Sequence, residues 1–218
     1  MNKVIAEIET LTSNWEVILV GNFLPNDRED LTPRVVQTIA AHDDRVKAVT
    51  LEKKGMMGWD ARMGLSRATG NTIAFVDGDD QMPADVLSGI YKKLKSERLD
   101  MVKTYRVKRM DGLLRKINSD VYNLLFHILF PGFTVRDVNS KPKIFTREFF
   151  NKLKLESNDW FLDAEIMIQA RRCKCRIGEV PTVFHALKDR KSFVRVEHIF
   201  EFLKNLSRAR FAEFFVRR

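Results

Sequence analysis

Residues 72–83 read TIAFVDGDDQMP, and this stretch decides the fold class. It starts with a continuous, largely apolar run that is typical of a strand buried in a parallel sheet. Three acids, Asp77, Asp79 and Asp80, follow directly, and Pro83 then opens a helix. Open α/β sheets bind their ligands beyond the carboxyl ends of their strands. The stretch therefore predicts an α/β fold with a ligand site at the acids.

Asp77 and Asp79 are the candidate metal ligands of this site. They are separated only by Gly78, so in an extended turn both carboxylates can approach one ligand. Hard oxygen donors of this kind suit Mg²⁺ or Mn²⁺ held jointly with a diphosphate. The alternative is a turn whose acids cap the helix at Pro83. Capping accounts for one or two acids, whereas three acids in four positions favour the metal.

Strands and helices alternate on both sides of this stretch. Short β-rich runs predict strands at 16–22, 46–52 and 101–108. Small or apolar residues at helical spacing predict a helix at 57–68, before the strand that leads to the acids. This β-α-β-α order predicts a mostly parallel sheet flanked by helices.

The last third of the chain has a different pattern. Residues 120–130, DVYNLLFHILF, are apolar nearly all round, as in a helix that is buried or pressed against lipid. A helix at 160–172 and a short strand at 176–181 follow. We expect residues 1–192 to form the main domain and residues 193–218 a basic, amphipathic helix at a membrane surface. The apolar stripe of that helix is Ile199, Phe202, Leu203 and Leu206.

Composition limits the partners. The 218 residues carry 38 Lys and Arg against 29 Asp and Glu, a net charge of +9, which indicates an anionic partner. We find no aromatic-basic platform for nucleic acid, so we expect phosphorylated small molecules and an anionic membrane surface instead. No apolar run approaches the ~20 residues of a membrane span, and the first residues lack the apolar core of a signal peptide. We therefore expect a peripheral protein on the cytoplasmic face of a membrane.

A resemblance to a known family becomes specific around the acids. Residues 54–87 resemble the central stretch of family 2 glycosyltransferases of the GT-A fold. They are most similar to the branch of polyprenyl-phosphate sugar synthases, such as dolichyl-phosphate mannose synthase. Residues 135–150 and 159–181 are similar to two later segments of the same family. The matching positions in the first segment are Lys54, Gly55, Gly64, Ala68, Gly70, Asp77, Asp79, Gln81 and Pro83.

The resemblance implies roles for particular residues. Asp77 and Asp79 would hold the metal, Asp79 and Asp137 would serve in catalysis, and Lys143 stands where the family carries a basic residue. Asp163 matches a family acid, although it fits a charge on a helix surface equally well. The donor-binding residues would be Lys54, Asp77, Gly78, Asp79 and Gln81.

Two arginines form a candidate phosphate clamp. Arg106 and Arg109 follow a predicted strand, at the same end of the sheet as Asp77. Guanidinium groups there can bind a phosphate through two hydrogen bonds. The alternative is a solvated surface loop. Position beside the acids favours the clamp, as the site of either the acceptor or the donor diphosphate.

The chain departs from the family pattern in two places. The family begins with a strand that ends in Pro-x-Tyr-Asn-Glu, and this chain has no counterpart, so we expect the first strand of the sheet to be missing. Near the C-terminus the family often carries Arg-x-x-Gly-x-Ser. Here residues 188–192 read KDRKS and keep only the serine.

Together these observations predict inverting transfer of a hexose from a UDP- or GDP-linked donor to a polyprenyl phosphate. The metal and the basic residues would stabilise the leaving diphosphate. One alternative is a catalytically inactive scaffold, because the first strand is missing. Another is an Asp-x-Asp phosphatase, but that family usually has Thr or Val at the fifth motif position, where this chain has Gln81.

Overall fold

The computed structural model describes residues 1–109, 113–185 and 196–216, with side chains over 1–107, 119–185 and 203–213. The strands are β1 (Val17–Val20), β2 (Val46–Val49), β3 (Thr72–Phe75), β4 (Met101–Arg109), β5 (Lys143–Thr146) and β6 (Ile177–Phe184). The helices are α1 (Asn2–Glu9), α2 (Thr32–Ala40), α3 (Met57–Leu65), α4 (Val86–Ser96), α5 (Leu113–Leu129), α6 (Arg147–Phe150), α7 (Leu162–Arg172) and α8 (Val196–Val216).

The strands form two sheets covered by helices, which confirms the predicted α/β class. β1 and β2 pair in parallel, and the larger sheet has the order β3-β5-β4-β6. The larger sheet is mixed, because β5 runs antiparallel to both β3 and β4, whereas β4 and β6 are parallel. The sequence did not predict β5. It has only four residues between Pro142 and α6, whose first turn is capped by the Thr146 hydroxyl.

β1 and β3 belong to different sheets, and helix α3 packs against both of them. Within the described residues no strand lies between the two. Glu16 helps to hold the two sheets together, because its carboxylate accepts hydrogen bonds from the backbone N–H groups of Thr69 (2.6 Å) and Gly70 (3.1 Å). The sheet of this molecule is therefore in two parts joined by α3.

Helix α8 shares the main hydrophobic core. Leu206 is fully buried there, among the side chains of α5 and α7. Glu213 is also buried, and it pairs with Arg171 and Arg172 of α7. At Leu206 the predicted apolar stripe therefore faces protein rather than lipid, whereas the division of the chain at residue 193 stays a prediction. The side chains of Ile199 and Phe202 lie outside the described residues.

Helix α5 has two unlike sides. Phe126 and Phe130 are fully buried in the core. Val121, Leu124 and Ile128 lie on the other side with 50%, 60% and 64% of their surface exposed. Their spacing of three and four residues places them in one row on the helix. The sequence left open whether this helix is buried or in contact with lipid. In the structure one side of α5 is part of the core, and the other side is an exposed apolar row.

Candidate functional site

The predicted acids lie in a turn between β3 and α4, which we call the acid turn (residues 77–81). Asp79 is half-buried, and its carboxylate accepts a hydrogen bond from the Gln81 N–H at 3.2 Å. Burial raises the pKa of Asp79, and the negative charge of Asp77 raises it further. The two carboxylates are therefore close enough to repel each other, as a shared cation site requires. Asp80 is exposed, with a left-handed φ of 58°.

Lys141 joins the acid turn to the interior of the protein. Its ammonium nitrogen Nζ lies 3.2 Å from Asp77 Oδ2 and 2.9 Å from Asp163 Oδ2. This contact follows from strand pairing, because Phe75 lies opposite Lys143 in the antiparallel β3–β5 ladder. The residue two positions after Phe75 then meets the residue two positions before Lys143. Among the described residues, Lys141 is consequently the cation that pairs with a predicted metal ligand.

Lys143 shares Asp163 with Lys141. Its ammonium pairs with Asp163 Oδ1 and donates to the Ser140 carbonyl oxygen at 2.8 Å. Both Lys143 and Asp163 are buried. The side chain of Lys143 is fully buried, so the predicted phosphate contact of Lys143 is not available in this arrangement. The alternative of a surface charge at Asp163 is wrong for the same reason.

The two lysines carry opposite pKa shifts. For both, burial by itself lowers the pKa. At Lys141 the negative charges of Asp163 and Asp77 outweigh burial and raise the pKa above its ordinary value. At Lys143 burial prevails over Asp163, and the charge of Lys141 adds to it, so the pKa falls to about 8. One carboxylate cannot fully compensate two buried ammonium groups.

A row of charged residues crosses the larger sheet beneath the acid turn. Lys143, Lys103 and Glu179 are neighbours in register on β5, β4 and β6. The buried Lys103 ammonium lies 3.2 Å from Glu179 Oε1 and donates to the Thr104 carbonyl oxygen at 2.7 Å. Burial lowers the pKa of Lys103, and Glu179 offsets part of that effect. Each strand thus places its charge on the same face.

Arg106 and Asp137, which were predicted separately, bind each other. Arg106 Nε donates to Asp137 Oδ2 at 2.6 Å, and its Nη2 donates to Oδ1 at 2.8 Å. Burial alone would raise the pKa of Asp137, but Arg106 outweighs it and the pKa falls to about 2. With both oxygens bound and so low a pKa, Asp137 is a weak proton acceptor. The geometry therefore argues against its predicted role as a catalytic base.

The remaining predicted residues have varied positions. Gln81 is buried and links the acid turn to the end of β6, because its side-chain amide donates to the His185 carbonyl oxygen at 2.8 Å. Gly78 is exposed, with open space where a Cβ would lie. Lys54 is exposed between β2 and α3 and makes no ion pair with Asp77 or Asp79 within the described structure. The side chain of Arg109 and residues 188–192 lie outside the described residues.

Sequence reasoning missed Lys141 and undervalued Asp163. The available signal was the pair of lysines around Pro142, directly before the apolar residues of β5. Lysines beside a buried strand need acidic partners, because an unpaired buried charge is costly. That argument predicts a nearby carboxylate. It does not say which of the 29 acids supplies it, and the antiparallel register of β5 is needed to make that choice.

The donor set suits a divalent cation bound together with a ligand. Asp77 and Asp79 supply hard carboxylate oxygens, which Mg²⁺ and Mn²⁺ prefer. The described part of the chain contains no group of three or more His, Cys, Asp or Glu residues that could hold a metal alone. Mg²⁺ is commonly bound through one or two carboxylates plus substrate phosphates. The two acids fit that pattern.

Known proteins resemble this chain over most of its length. It is 28% identical to Glycosyltransferase AglD of Haloferax volcanii, over 87% of this chain and 31% of that protein. It is 25% identical to an undecaprenyl-phosphate 4-deoxy-4-formamido-L-arabinose transferase of Salmonella choleraesuis, over 86% of this chain and 56% of that protein. This chain therefore spans 31% and 56% of the lengths of these two curated relatives.

Solved structures show the same fold. Glucosyl-3-phosphoglycerate synthase of Mycobacterium tuberculosis in complex with Mn²⁺, UDP-glucose and phosphoglyceric acid superposes with a TM-score of 0.69 at 15% identity. The match covers 96% of this chain and 73% of that one. Its UDP complex gives a TM-score of 0.66 at 15% identity, over the same shares. These likenesses establish the GT-A fold.

The family model described as Glycosyl transferase family 2 matches residues 2–158. That span contains β1 to β5, the acid turn and Lys141. The resemblance seen in the sequence is thereby confirmed over most of the chain, and the chain belongs to glycosyl transferase family 2.

Proposed function

We propose that this chain transfers a hexose from a UDP- or GDP-linked donor to a polyprenyl phosphate, with inversion at the sugar and with a divalent metal. The observation that carries the proposal is the acid turn. Its two carboxylates lie at the carboxyl end of β3, with a lysine already seated on one of them. The undecaprenyl-phosphate relative supports a lipid phosphate as the acceptor class.

Asp77 and Asp79 form the donor side of the proposed site. They would hold Mg²⁺ or Mn²⁺, which supplies positive charge to the leaving diphosphate. The Mycobacterium tuberculosis complex, which contains Mn²⁺ and UDP-glucose, supports this choice of donor and cation class. Asp79 is the better ligand of the two, because among the described residues Lys141 pairs with Asp77 and no lysine pairs with Asp79. Lys141 adds a fixed positive charge beside Asp77.

The acceptor side favours a nucleophile that is already ionised. A hydroxyl acceptor needs a carboxylate or histidine to remove its proton. The buried carboxylates described beneath the acid turn are instead bound to cations: Asp137 to Arg106, and Asp163 to two lysines. A lipid phosphate carries its negative charge at neutral pH without such a base. Arg106, exchanging one bond to Asp137 for a phosphate oxygen, would orient it.

The exposed row on α5 is the proposed lipid contact. Val121, Leu124 and Ile128 point away from the core. The same helix holds the segment that carries Asp137, because His127 is hydrogen-bonded to the Val135 carbonyl oxygen at 2.8 Å. One helix therefore connects the exposed row to the part of the site that contains Asp137. In the described residues, no helix is both long and apolar enough to cross a membrane.

A direct assay tests the proposed reaction. Radiolabelled UDP- and GDP-hexoses would be offered with undecaprenyl phosphate, dolichyl phosphate or the free alcohols. We expect transfer to a lipid phosphate and its loss in Asp79→Asn. Asp80→Asn is the matched control, since it removes the same charge from the neighbouring exposed residue. Transfer to a free alcohol but to neither phosphate would overturn the proposal.

A vesicle experiment tests the lipid contact. The double variant Leu124→Gln/Ile128→Gln should bind phosphatidylglycerol vesicles roughly tenfold more weakly, because it removes apolar surface that lipid would bury. Leu31→Gln/Val35→Gln is the control, since those side chains are 63% and 50% exposed and lie on α2 or directly before it. Equal binding by both double variants in a sedimentation assay would show that the exposed row on α5 does not contact the membrane.

The alternative of an inactive scaffold has one structural observation in its favour. β1 and β3 belong to two separate sheets, and the donor would bind near the gap between these sheets. Calorimetric titration of UDP and GDP with Mn²⁺ separates the two functions. An active enzyme binds one nucleotide in a metal-dependent manner, whereas a scaffold that has lost its donor site binds neither.

A further inference from the structure

Lys141 is a buried cation in direct contact with a predicted metal ligand. Its side chain is 8% exposed, and its ammonium bridges Asp77 and Asp163. The ammonium also lies 5.2 Å from the centre of the Phe75 ring, on the strand that precedes the acids. Three surroundings thus hold the group in place: two carboxylates and an aromatic face. The ammonium group of Lys141 is therefore held at a fixed position beside the acid turn.

The position of Lys141 divides the two acids of the turn. Asp77 is compensated by a cation that belongs to the protein, whereas Asp79 is bound by a backbone N–H group of Gln81. A divalent ion that approaches both acids is repelled by the ammonium beyond Asp77. A diphosphate is attracted by that ammonium. The same charge therefore acts with opposite sign on the two components that the site must bind.

We propose that Lys141 is a positioning residue that keeps Asp77 from binding a divalent ion alone and so couples metal binding to the arrival of the nucleotide diphosphate. The inference rests on the proposed function, because it takes the acid turn as the donor site. When the diphosphate is present, its negative charges offset the repulsion between Lys141 and the ion. Without it, Asp77 stays paired with Lys141.

The variant Lys141→Met should change the affinities for metal and for nucleotide in opposite directions. Removing the ammonium leaves Asp77 uncompensated, so Mn²⁺ alone should bind on the order of tenfold more tightly. UDP or GDP without metal should bind several-fold more weakly, because the acids then repel the phosphates. Loss of structure would weaken both. Lys141→Arg keeps the charge and should resemble the unaltered protein in both titrations.

Lys143→Met is the matched control. Lys143 is buried and pairs with the same Asp163, but it does not contact Asp77. Its removal should change either affinity by less than about threefold. Mn²⁺ binding would be followed by electron paramagnetic resonance, nucleotide binding by calorimetry, and folding by thermal denaturation of each variant.

The outcomes separate the two proposals. Opposite shifts in Lys141→Met, absent from Lys141→Arg, support the coupling. Equal weakening of both ligands in Lys141→Met, or a Lys141→Arg variant that behaves like it, overturns the inference and leaves the proposed function standing. If Lys141→Met does not fold, Lys141→Gln replaces it in the same comparison. Failure of the unaltered protein to bind UDP or GDP, with or without Mn²⁺, overturns both.

Discussion

The acid turn and the charged residues beneath it use the same chemical groups under opposite conditions. In the acid turn, Asp79 is half-buried and forms no ion pair with another described residue, so its carboxylate is available to a ligand. Beneath it, the charge layer consists of groups that bind each other. Its members are the buried Lys103, Asp137, Lys143 and Asp163 and the partly buried Arg106 and Glu179.

The difference shows what burial does to an ion. A charge removed from water must find a partner or change its protonation. In the layer, Asp137 finds Arg106 and its pKa falls to about 2, whereas Lys143 shares its partner and its pKa falls to about 8. In the acid turn, partial exposure lets a carboxylate keep its charge at low cost. We therefore expect the acid turn to bind the ligand and the charge layer to hold the acid turn in place.

The largest expected effect breaks the layer at its centre. Asp163→Asn would leave the buried ammonium of Lys143 without a negative partner and that of Lys141 with Asp77 alone, and removing one member of a buried pair costs about 3–5 kcal/mol. Urea unfolding would measure the loss. Glu148→Gln is the control, because its ion pair with Lys152 is exposed to solvent and contributes little to stability. Equal losses in the two variants would mean that the layer is no more critical than the surface.

The next effect asks whether Arg106 serves the layer or the ligand. Arg106→Ala should lower kcat/KM for a lipid phosphate by roughly 10- to 100-fold, because the charge-assisted contact with the phosphate is lost. Asp137→Asn should lose about tenfold or less, since the acceptor needs no base. The double variant Arg106→Ala/Asp137→Asn relieves the unpaired carboxylate and should regain stability without regaining transfer. A larger loss in Asp137→Asn than in Arg106→Ala would restore Asp137 as a base.

The smallest expected effect is a pH dependence of the free energy of unfolding that arises from Lys143 in the charge layer. The pKa of Lys143 falls from its ordinary value of 10.5 to about 8 in the folded protein. Between these values the unfolded chain holds a proton that the folded chain does not, so stability rises with pH across this window. Below about pH 8 both states are protonated and the full penalty of burial remains. Within this window the rise should be at most about 1.4 kcal/mol for each pH unit.

Lys143→Met is the control for that pH dependence, because it lacks the group and keeps Lys103, whose lowered pKa acts in the same direction. Urea unfolding at intervals from pH 7 to 10 would give the difference between the two proteins. If the unaltered protein loses stability relative to Lys143→Met as pH rises, Lys143 is stabilised as an ammonium and its pKa is raised.

Much of the fold could be predicted from local pattern. The apolar run before Asp77 gave a buried strand, and helical spacing gave α3 and α7 within a few residues. β5 was not predicted, because only Ile144 and Phe145 of its four residues are apolar, and so short a run does not separate a strand from a loop. The burial of Leu206 was equally hidden, since an apolar stripe on a helix fits lipid and protein alike.

By itself, the sequence determined the α/β class, the acids at a strand end and the membership of a glycosyltransferase family. These follow from residue order, because strand, turn and helix signals are local. Only the tertiary structure decided which charged side chains form ion pairs with each other. Arg106 meets Asp137 across 31 positions, and Lys141 meets Asp77 because β5 runs antiparallel to β3. Such pairs depend on strand register and burial, and neither is written in the spacing of the residues along the chain.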